Sequence, residues 1–378
     1  MANRSKNQEI LIVGGGVIGL SLARELHKKG AGKIIILERG KLGRESSFAA
    51  AGILAPQAEA EKPDDFFHFC SDSKNLYLNF AEKLSTETGI DIEVDRNGTL
   101  YLAFSETDAA EIRRRYKWQK KFELNVEYLN AEAIRKAEPF VSPDVRGALF
   151  FPNDWQVENR KLLAALQKYA KLNDIEVIEN AEVKNLLIEK AKVVGAETSK
   201  GKIFTQTVVL ATGAWTSLIK LSENALPLPE VKPIRGQILS FKTAKRLFSK
   251  VIYTPRGYLV PRFDGRTLIG ATVEDAGFDK NLTEGGIKFL LEAAFEISLH
   301  LTRLEIFEKW AGLRPFAADG LPILGAFPEI EKLHIATAHY RNGILLAPLT
   351  AKILADKIAE NLDSKYLEIF SPKRFQTR

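Results

Sequence analysis

The stretch EILIVGGGVIGLSLARELHKKG, residues 9–30, decides the fold. It opens with a short apolar run typical of a buried strand, and the motif Gly14-x-Gly16-x-x-Gly19 follows at once. Apolar residues then recur at helical spacing until Gly30, a residue type that commonly ends helices. The stretch therefore predicts a strand, a tight glycine turn and an amphipathic helix.

A second strand is predicted in KIIILERG, residues 33–40, where the apolar run ends at Glu38. Gly14 permits a tight turn, and Gly16 lets the backbone approach a pyrophosphate at the positive end of the helix dipole. Glu38 lies 19 residues beyond Gly19, where an acidic side chain binds the ribose hydroxyls of a dinucleotide. The glycine motif alone is weak evidence, but strand, helix, second strand and acid together predict a dinucleotide site.

The length and composition indicate a globular protein of about two domains. The chain has 378 residues, of which 45% are hydrophobic and 27% charged, as in ordinary globular proteins. Cys70 is the only cysteine, so neither an internal disulfide nor a cysteine-based metal cluster can form. The N-terminal apolar run is too short to span a membrane and lacks a cleavage pattern. We expect a cytoplasmic protein without a metal site or a membrane anchor.

The chain is basic, with a formal net charge of +6 and a pI near 9.1. A basic surface can bind nucleic acid or anionic membranes. Here the Lys and Arg residues fall in scattered runs that alternate with Glu and Asp, and no nucleic-acid recognition motif accompanies them. We therefore expect a solvated, lysine-rich surface and no nucleic-acid partner.

Later segments indicate which dinucleotide is bound. Small residues dominate 46–52 and would let the backbone lie against a flat, bulky ligand, although a tight surface loop fits equally well. Residues 175–201 are typical of short strands separated by turns, and FTQTVVLATGAWT, residues 204–216, predicts a buried strand that ends in Ala-Thr-Gly. A second nucleotide-domain strand so far from the glycine motif is typical of flavoproteins whose FAD domain is interrupted by insertions.

Eight stretches, in order, resemble the D-amino-acid oxidase family of FAD-dependent amine oxidases and run nearly end to end. They are VGGGVIG at 13–19, SSFAAAGILAP at 46–56, VVLATGAW at 208–215, VKPIRGQIL at 231–239, YLVPR at 258–262, IGATVEDAGFD at 269–279, WAGLRPFAADGLPILG at 310–325 and HYRNGILLAP at 339–348. Any one of them is weak evidence, whereas the eight in the same order are specific.

The resemblance implies an α/β fold with two interwoven domains. One is an FAD-binding, Rossmann-like domain of the glutathione-reductase type, and the other is a substrate-binding domain with a mostly antiparallel sheet. The FAD-binding domain is expected from residues 1–88, 154–225 and 323–378, and the substrate-binding domain from residues 89–153 and 226–322. Within the latter, YLVPRFDGRTLIGATV predicts a hairpin in which two alternating runs flank Asp264-Gly265.

The resemblance also implies FAD in an extended, non-covalent form. Besides the glycine motif, the implied contacts are Val17 and Ile18 with the pyrophosphate, Glu38 and Arg39 with the ribose, Ser46 and Ser47 with phosphate or ribitol, Ala51, Gly52 and Ile53 with the isoalloxazine, Val183 with the adenine, and His339, Tyr340, Arg341, Asn342, Gly343, Ile344 and Leu345 with the pyrimidine edge of the flavin. Cys70 lies in an apolar helical context and is expected to be a buried hydrophobe.

Two arginines lie among apolar neighbours, Arg314 in WAGLRPF and Arg341 in HYRNGILLAP. A buried, unpaired arginine is costly, and a planar guanidinium holds a carboxylate through two parallel hydrogen bonds. The resemblance implies that Arg314 clamps the substrate carboxylate, that the Tyr258 hydroxyl bonds the same group, and that Arg341 supports the carboxylate or the flavin edge. The alternatives are structural ion pairs, with Asp319 a candidate partner for Arg314.

The activity that the resemblance implies is oxidative deamination of glycine, sarcosine and small D-amino acids. Hydride would pass to flavin N5, giving an imine that hydrolyses to an oxo acid and ammonia or an amine, while oxygen becomes hydrogen peroxide. The sequence shows no obvious general base, which suits direct hydride transfer from a neutral amine. The family also implies supply of dehydroglycine for the thiazole of thiamine, and a homotetramer. Two alternatives stay open: a D-amino-acid or proline dehydrogenase with another electron acceptor, and a basic flavoprotein module that binds tRNA.

Two positions near the substrate residues depart from the family pattern. Arg256 stands two residues before Tyr258, where a neutral or weakly basic residue is typical, and Val273 stands where a methionine can occur. These changes affect the expected width and charge of the pocket mouth rather than the chemistry. Farther along, Pro348 is expected near the first turn of the last helix, with the backbone N–H groups around Gly343 facing the flavin.

Overall fold

Strands and helices alternate along the chain in the pattern that an α/β protein requires. The structure is a computed structural model that describes residues 9–221 and 227–375, so the predicted domain boundary at residues 225 and 226 lies outside the described residues. Its strands are β1 Glu9–Val13, β2 Lys33–Leu37, β3 Ile53–Leu54, β4 Thr99–Ala103, β5 Glu127–Asn130, β6 Gly147–Phe151, β7 Trp155–Gln156, β8 Glu176–Ile178, β9 Val183–Glu189, β10 Lys192–Thr198, β11 Gly201–Phe204, β12 Thr207–Leu210, β13 Val231–Lys242, β14 Val251–Thr254, β15 Gly257–Pro261, β16 Arg266–Gly270, β17 Ile306–Ala317, β18 Ile323–Ala326 and β19 Leu333–Thr337. Its α-helices are α1 Val17–Lys28, α2 Ser46–Ala49, α3 Pro56–Glu59, α4 Asp65–Thr88, α5 Glu106–Lys121, α6 Ala131–Ala137, α7 Asn159–Leu172, α8 Glu284–Ile297, α9 Gly343–Glu360 and α10 Lys365–Ile369, and short 3-10 helices cover Gly213–Leu218, Leu299–Arg303 and Pro372–Phe375.

The glycine stretch forms the centre of a six-stranded sheet, in the order β18-β19-β12-β1-β2-β8. Neighbouring strands run parallel except β18 with β19. Strands β1 and β12 are almost wholly buried, because both faces of the sheet are covered. Helices α1, α4, α7 and α9 pack on one face, and the antiparallel sheet β11-β10-β9 packs on the other. This is the Rossmann-like layer that the sequence predicts.

A second sheet of eight strands has the order β17-β13-β16-β15-β14-β4-β6-β5. Its neighbours are antiparallel except β14 with β4. The predicted hairpin joins β15 to β16, and Gly265 in its turn has a positive φ of 86°. Helix α8 packs against β13, β15 and β16. The expected fold, α/β with a parallel and a mostly antiparallel sheet, is therefore confirmed.

Strand β17 brings the second sheet against the loop that follows β2. A Cβ on Gly312 would lie 2.5 Å from the Cβ of Ala49 in α2, so the glycine permits this close approach. Trp310 Nε1 donates to Ala49 O at 3.0 Å, and Ser46 Oγ donates to Leu313 O. The strand that carries Arg314 is thereby held against the segment expected to pass the flavin.

Pro348 lies in the second turn of α9, so the expectation of the first turn was wrong. It is the sixth residue of the helix, where a proline leaves the carbonyl four residues earlier without its N–H partner. The Tyr77 hydroxyl of α4 donates to that carbonyl, Ile344 O, at 2.7 Å, and Ser73 Oγ donates to Leu345 O at 2.7 Å. Helix α4 thus bonds the carbonyls near the proline and holds the first turn of α9 in place.

The two sheets draw their strands from interleaved parts of the chain. The six-stranded sheet uses residues 9–37, 176–210 and 323–337, and the eight-stranded sheet uses residues 99–151 and 231–317. The predicted domain limits remain a prediction. Among the described residues, none of the helices combines the length and apolarity needed to cross a membrane.

Candidate active site

A cavity of about 990 Å³ extends from the glycine turn to the eight-stranded sheet. The structure brings most of the predicted site residues to its wall. Those that line it are Gly14, Gly16, Val17, Ile18, Glu38, Arg39, Ser46, Ser47, Ala51, Gly52, Ile53, Val183, Tyr258, Arg314, His339, Tyr340, Arg341, Asn342, Gly343 and Ile344. Gly19 and Leu345 do not line the cavity, because Gly19 packs against the Gly14 carbonyl and Leu345 is buried in the core.

At the glycine end of the cavity, two side chains hold the backbone of the turn. Gly15 N–H donates to Glu38 Oε2 at 2.9 Å, and Gly40 N–H donates to Glu38 Oε1 at 2.9 Å. Val17 N–H donates to Ser47 Oγ at 3.0 Å. Glu38 and Ser47 therefore reach the same turn, where the resemblance places the ribose and the phosphates.

Gly14 and Gly19 are required by packing, whereas Gly16 opens toward the cavity. Gly14 has φ of 109°, and a Cβ on it would lie 2.3 Å from Ala211 O. A Cβ on Gly19 would lie 2.0 Å from Gly14 O. A Cβ on Gly16 would meet a single atom within 4 Å, Ser47 Oγ at 3.2 Å. The turn therefore presents an open backbone where a pyrophosphate has to approach.

Two helices begin at the cavity without a side-chain cap. The N-cap of α1 is Gly16, which has no side chain, and the N-cap of α9 is Asn342, whose side chain accepts no hydrogen bond from its helix. At α1, Ser47 Oγ accepts from the first N–H group, that of Val17. The first N–H groups of a helix lack intrahelical partners and carry the positive end of its dipole. A Cβ on Gly343 would meet only the His339 Cβ, at 3.8 Å. These features fit FAD, which has a pyrophosphate for one helix end and an electron-accepting ring for the other.

The loop before α9 adopts an uncommon backbone conformation. Ala338 and Tyr340 have φ of 57° and 47°, in the left-handed region that side chains rarely adopt. Tyr340 N–H donates to Pro315 O at 3.0 Å, which ties the loop to β17. His339 is buried, with Nε2 3.2 Å from Thr350 Oγ1. Burial lowers the pKa of His339 to about 3, so its ring is neutral near pH 7.

At the other end of the cavity, two glycines make room for the predicted carboxylate-binding side chains. A Cβ on Gly236 would lie 2.3 Å from Arg314 Nη2, so the guanidinium packs directly on the β13 backbone. A Cβ on Gly270 would lie 2.4 Å from the Tyr258 ring. Arg314 Nη1 also donates to Thr272 O at 3.0 Å. Both side chains therefore lie against sheet backbone, which restricts their orientation.

Arg314 has no carboxylate partner among residues 9–221 and 227–375. Asp319, its alternative partner, bonds Arg374 instead, with Oδ2 2.6 Å from Nε. Burial raises the pKa of the Tyr258 hydroxyl, and the charges of Arg314 and Arg341 oppose that rise, so the hydroxyl keeps its proton near pH 7. A half-buried guanidinium without an anion, beside a phenol that can donate, is suited to bind a carboxylate.

Arg341 faces an anion that the sequence did not reveal. Its Nη2 is 3.2 Å from Glu59 Oε1, which also accepts from the Tyr253 hydroxyl at 2.7 Å. The negative charge of Glu59 raises the pKa of Arg341. The ion-pair alternative for Arg341 is thus present, and its contact with a substrate or with the flavin stays a prediction. Glu59 was missed because one glutamate at the end of a short helix has no sequence signature.

Arg262, in the shared stretch YLVPR, is a second residue that sequence reasoning missed. It is buried, and its Nη2 donates to Ala51 O at 2.8 Å and to Asn159 Oδ1 at 3.1 Å. Its Nη1 donates to Val157 O at 2.7 Å. Arg262 thus ties the strand of Tyr258 to the loop expected at the isoalloxazine. The sequence feature that could have indicated Arg262 is its position four residues after Tyr258, within the same stretch shared with the family.

The two departures from the family pattern lie at the pocket mouth. Arg256 Nη2 is 3.1 Å from Glu292 Oε2 of α8, and its guanidinium lies 5.8 Å from the centroid of the Phe289 ring. Val273 lines the cavity and is 62% exposed. The carboxylate of α8 therefore balances the added charge of Arg256.

Cys70 lies away from the cavity wall. It is buried within α4, and burial raises the pKa of its thiol, so it stays protonated near pH 7. Among the described residues, no group of three or more His, Cys, Asp or Glu side chains is arranged to hold a metal ion.

Comparison with known proteins agrees with this geometry. Residues 9–357 match the family DAO, described as FAD dependent oxidoreductase. A glycine oxidase of Bacillus licheniformis is 33% identical over 370 residues, which cover 98% of this chain and 98% of that protein. The crystal structure of glycine oxidase from Geobacillus kaustophilus has a TM-score of 0.91 and 32% identity, and the match covers 97% of this chain and 99% of that one.

A longer relative contains a second functional part. The bifunctional protein ThiO/ThiG of Trichormus variabilis is 36% identical over 373 residues, which are 98% of this chain and 55% of that protein. The chain thus spans about half the length of this relative. With the two open helix ends at the cavity, these matches show that the chain belongs to the DAO family of FAD-dependent oxidoreductases and that FAD is its cofactor.

Proposed function

We propose that this chain oxidises glycine, sarcosine and small D-amino acids, with FAD as cofactor and oxygen as final electron acceptor. The observation that carries the proposal is Arg314, a guanidinium that lines the cavity beside Tyr258 and has no carboxylate partner among the described residues. An amino acid with one carboxylate would supply that missing anion. The likeness to glycine oxidases supports the same substrate class.

The chain's contribution to the reaction is to orient the electron donor. Bound FAD supplies the electron acceptor, which takes hydride from the substrate Cα and delivers two electrons to oxygen. Arg314 would hold the carboxylate through two N–H···O bonds and the Tyr258 hydroxyl through a third, which together aim the Cα–H bond. With glycine, the imine product and water yield glyoxylate and ammonia, and oxygen is reduced to hydrogen peroxide.

We further propose that the reaction needs no side chain of the cavity as a general base. His339 is neutral, but it is buried and its Nε2 lies 3.2 Å from Thr350 Oγ1. Glu59 is engaged by Arg341 and Tyr253. We infer that the amine reacts in its neutral form, having lost its proton to water before hydride transfer.

The test is turnover of the FAD-loaded protein with and without oxygen. Under anaerobic glycine the visible absorbance of the flavin should bleach. With oxygen, glyoxylate, ammonia and hydrogen peroxide should form in equal amounts. Oxidised flavin that persists under anaerobic glycine, sarcosine and D-alanine would reject the proposal.

The electron acceptor needs its own measurement. A D-amino-acid or proline dehydrogenase would reduce a dye but consume little oxygen. We expect oxygen uptake to equal glycine loss in an oxygen electrode. Dye reduction without oxygen uptake would assign the chain to the dehydrogenases.

We further propose that the imine serves as dehydroglycine for the thiazole of thiamine. The support is the match to a protein that is named for ThiO and ThiG together. The gene should restore growth without thiamine to a bacterial strain that lacks its glycine oxidase, and failure of an expressed, FAD-loaded protein to do so would contradict this role. The homotetramer and the cytoplasmic location remain predictions, and light scattering during size-exclusion chromatography tests the first.

A further inference from the structure

Four arginines line the substrate end of the cavity, and three of them have a carboxylate partner. The pairs are Arg115 with Glu111 at 2.8 Å, Arg256 with Glu292 at 3.1 Å, and Arg341 with Glu59 at 3.2 Å. Within the described part of the chain, Arg314 is the arginine of this group without such a partner. The charge balance therefore leaves a place for one anion.

Glu59 differs from the other two partners because it lines the cavity itself. Its side chain is 21% exposed and that of Arg341 is 40% exposed, so both groups can meet a substrate. Glu59 Oε1 accepts from Arg341 and from the Tyr253 hydroxyl. Loss of this carboxylate would leave the Arg341 guanidinium facing the substrate without an anion.

The fold holds Glu59 in place through backbone contacts of α3. Asp154 Oδ2 accepts from Ala58 N–H at 2.7 Å, and Arg115 Nη1 donates to Ala58 O at 2.9 Å. The buried side chain of Gln119 donates to Gln57 O at 3.1 Å. None of these three bonds uses the Glu59 side chain, so a substitution at Glu59 should leave α3 in position.

We propose that Glu59 is a specificity-determining residue that restricts the pocket to amino acids with a single carboxylate. By pairing with Arg341, it leaves Arg314 as the guanidinium available for an anion. A second carboxylate on the substrate would meet Glu59, a like charge, and no unpaired cation. This inference rests on the proposed function, because it defines the substrate class of that site.

The test compares substrates that differ by one carboxylate, D-alanine with D-aspartate and sarcosine with iminodiacetate. In Glu59→Gln, kcat/KM for the dicarboxylate relative to its monocarboxylate partner should rise about tenfold over the wild-type ratio in at least one pair. The reason is that a charge-assisted hydrogen bond from Arg341 replaces repulsion by Glu59.

Glu61→Gln is the matched control. Glu61 also lines the cavity and is exposed, and it forms no ion pair with an arginine in the described ranges. Its substitution removes the same charge without freeing a guanidinium, so both ratios should change by less than about twofold. In the double variant Glu59→Gln with Arg341→Met, the gain should disappear, because the receiving guanidinium is gone.

The outcomes separate this inference from the proposed function. If FAD-loaded Glu59→Gln oxidises D-alanine or sarcosine and both ratios stay within about twofold of wild type, the inference is overturned. A gain that persists in the double variant also overturns it, because Arg341 is then not the receptor. If the wild-type protein oxidises neither glycine nor any of the four amines, the proposed function fails. In that case the inference is tested by binding alone, with the affinities for malonate and for acetate read from changes in the flavin spectrum. The preference for malonate over acetate should rise in Glu59→Gln. An unchanged preference overturns the inference.

Discussion

The two ends of the cavity are built in different ways. At the glycine end, Gly14, Gly16 and Val17 belong to one turn, and Glu38 follows the next strand. At the substrate end, Glu59, Tyr258 and Arg314 come from distant parts of the chain and meet only in the folded protein. The comparison teaches that a cofactor site can follow from local pattern, whereas the substrate site depends on how α3 and the strands β13 to β17 meet.

The largest effect is expected from a substitution at the glycine end of the cavity. In Gly19→Ala, the new Cβ would lie 2.0 Å from Gly14 O, a backbone atom that cannot swing away. Helix α1 must then move off the turn, and we expect a loss of more than about 3 kcal/mol in the free energy of unfolding and protein that purifies without FAD. Chemical denaturation and the ratio of protein to flavin absorbance measure the two effects.

Gly285→Ala, in the first turn of α8, is the control for that substitution. A Cβ there meets nothing within 4 Å, and alanine favours the helix more than glycine does. The free energy of unfolding should therefore stay the same or rise by up to about 1 kcal/mol. Normal FAD content in Gly19→Ala would contradict the packing role of Gly19.

The next effect breaks the substrate end alone. Arg314→Lys keeps the charge but cannot form two parallel bonds, so kcat/KM for glycine should fall about 100-fold, or ~3 kcal/mol. FAD content should be normal, because Arg314 contacts Gly236 and Thr272 rather than the glycine turn. Gly236→Ala should cause a comparable loss with the arginine intact, since its Cβ would lie 2.3 Å from Arg314 Nη2. A kcat/KM within about threefold of wild type in Arg314→Lys would reject the clamp.

A smaller effect concerns pH at the loop before α9. Burial holds the pKa of His339 at about 3, below the ordinary value of 6.5. As pH falls below 6.5, His339 binds a proton in the unfolded chain but not in the folded chain. The free energy of unfolding is therefore not reduced by His339 above pH 6.5, and it falls steadily as the pH drops toward about 3. At about pH 5, this effect of His339 lowers the free energy of unfolding by ~2 kcal/mol. In His339→Asn, the free energy of unfolding should decline correspondingly less between neutral pH and about pH 5.

His334 does not confound this measurement. Burial also lowers the pKa of His334, to about 4, but that residue is present in both proteins and its contribution cancels in the difference. Equal declines in wild type and His339→Asn would show that His339 titrates normally in the folded protein.

The smallest effect is expected from a substitution that removes one hydroxyl at the substrate end of the cavity. Tyr258→Phe keeps the ring against Gly270 and removes only the hydroxyl. The loss of one hydrogen bond to the carboxylate is worth ~1 kcal/mol, so KM for glycine should rise about fivefold with little change in FAD content. Steady-state kinetics check this, and an unchanged KM would place the hydroxyl outside the carboxylate site.

Sequence patterns placed the local elements well and the longer-range contacts poorly. The hairpin around Asp264-Gly265 formed where the alternating runs predict it, because a short Asp-Gly turn between such runs is a short-range signal. Pro348 lies one turn farther into α9 than the sequence pattern predicts. The helix tolerates it there because the hydroxyls of Tyr77 and Ser73, from another helix, bond the carbonyls of the first turn. Asp319 was the wrong partner for Arg314, because Asp319 lies in the turn after β17 and is paired there with Arg374 from the C-terminal part of the chain.

The sequence by itself determined the α/β fold and the glycine turn with Glu38, because spacing along one chain segment dictates turns, helix starts and strand ends. The family resemblance supplied most of the other predicted site residues, and nearly all of those predicted residues lie on the cavity wall. Only the tertiary structure decided that Glu59 faces Arg341 and that Arg314 lies on Gly236. Pairing of charges depends on distances of a few ångströms between segments far apart in the chain, and those distances are set by how the sheets and helices pack.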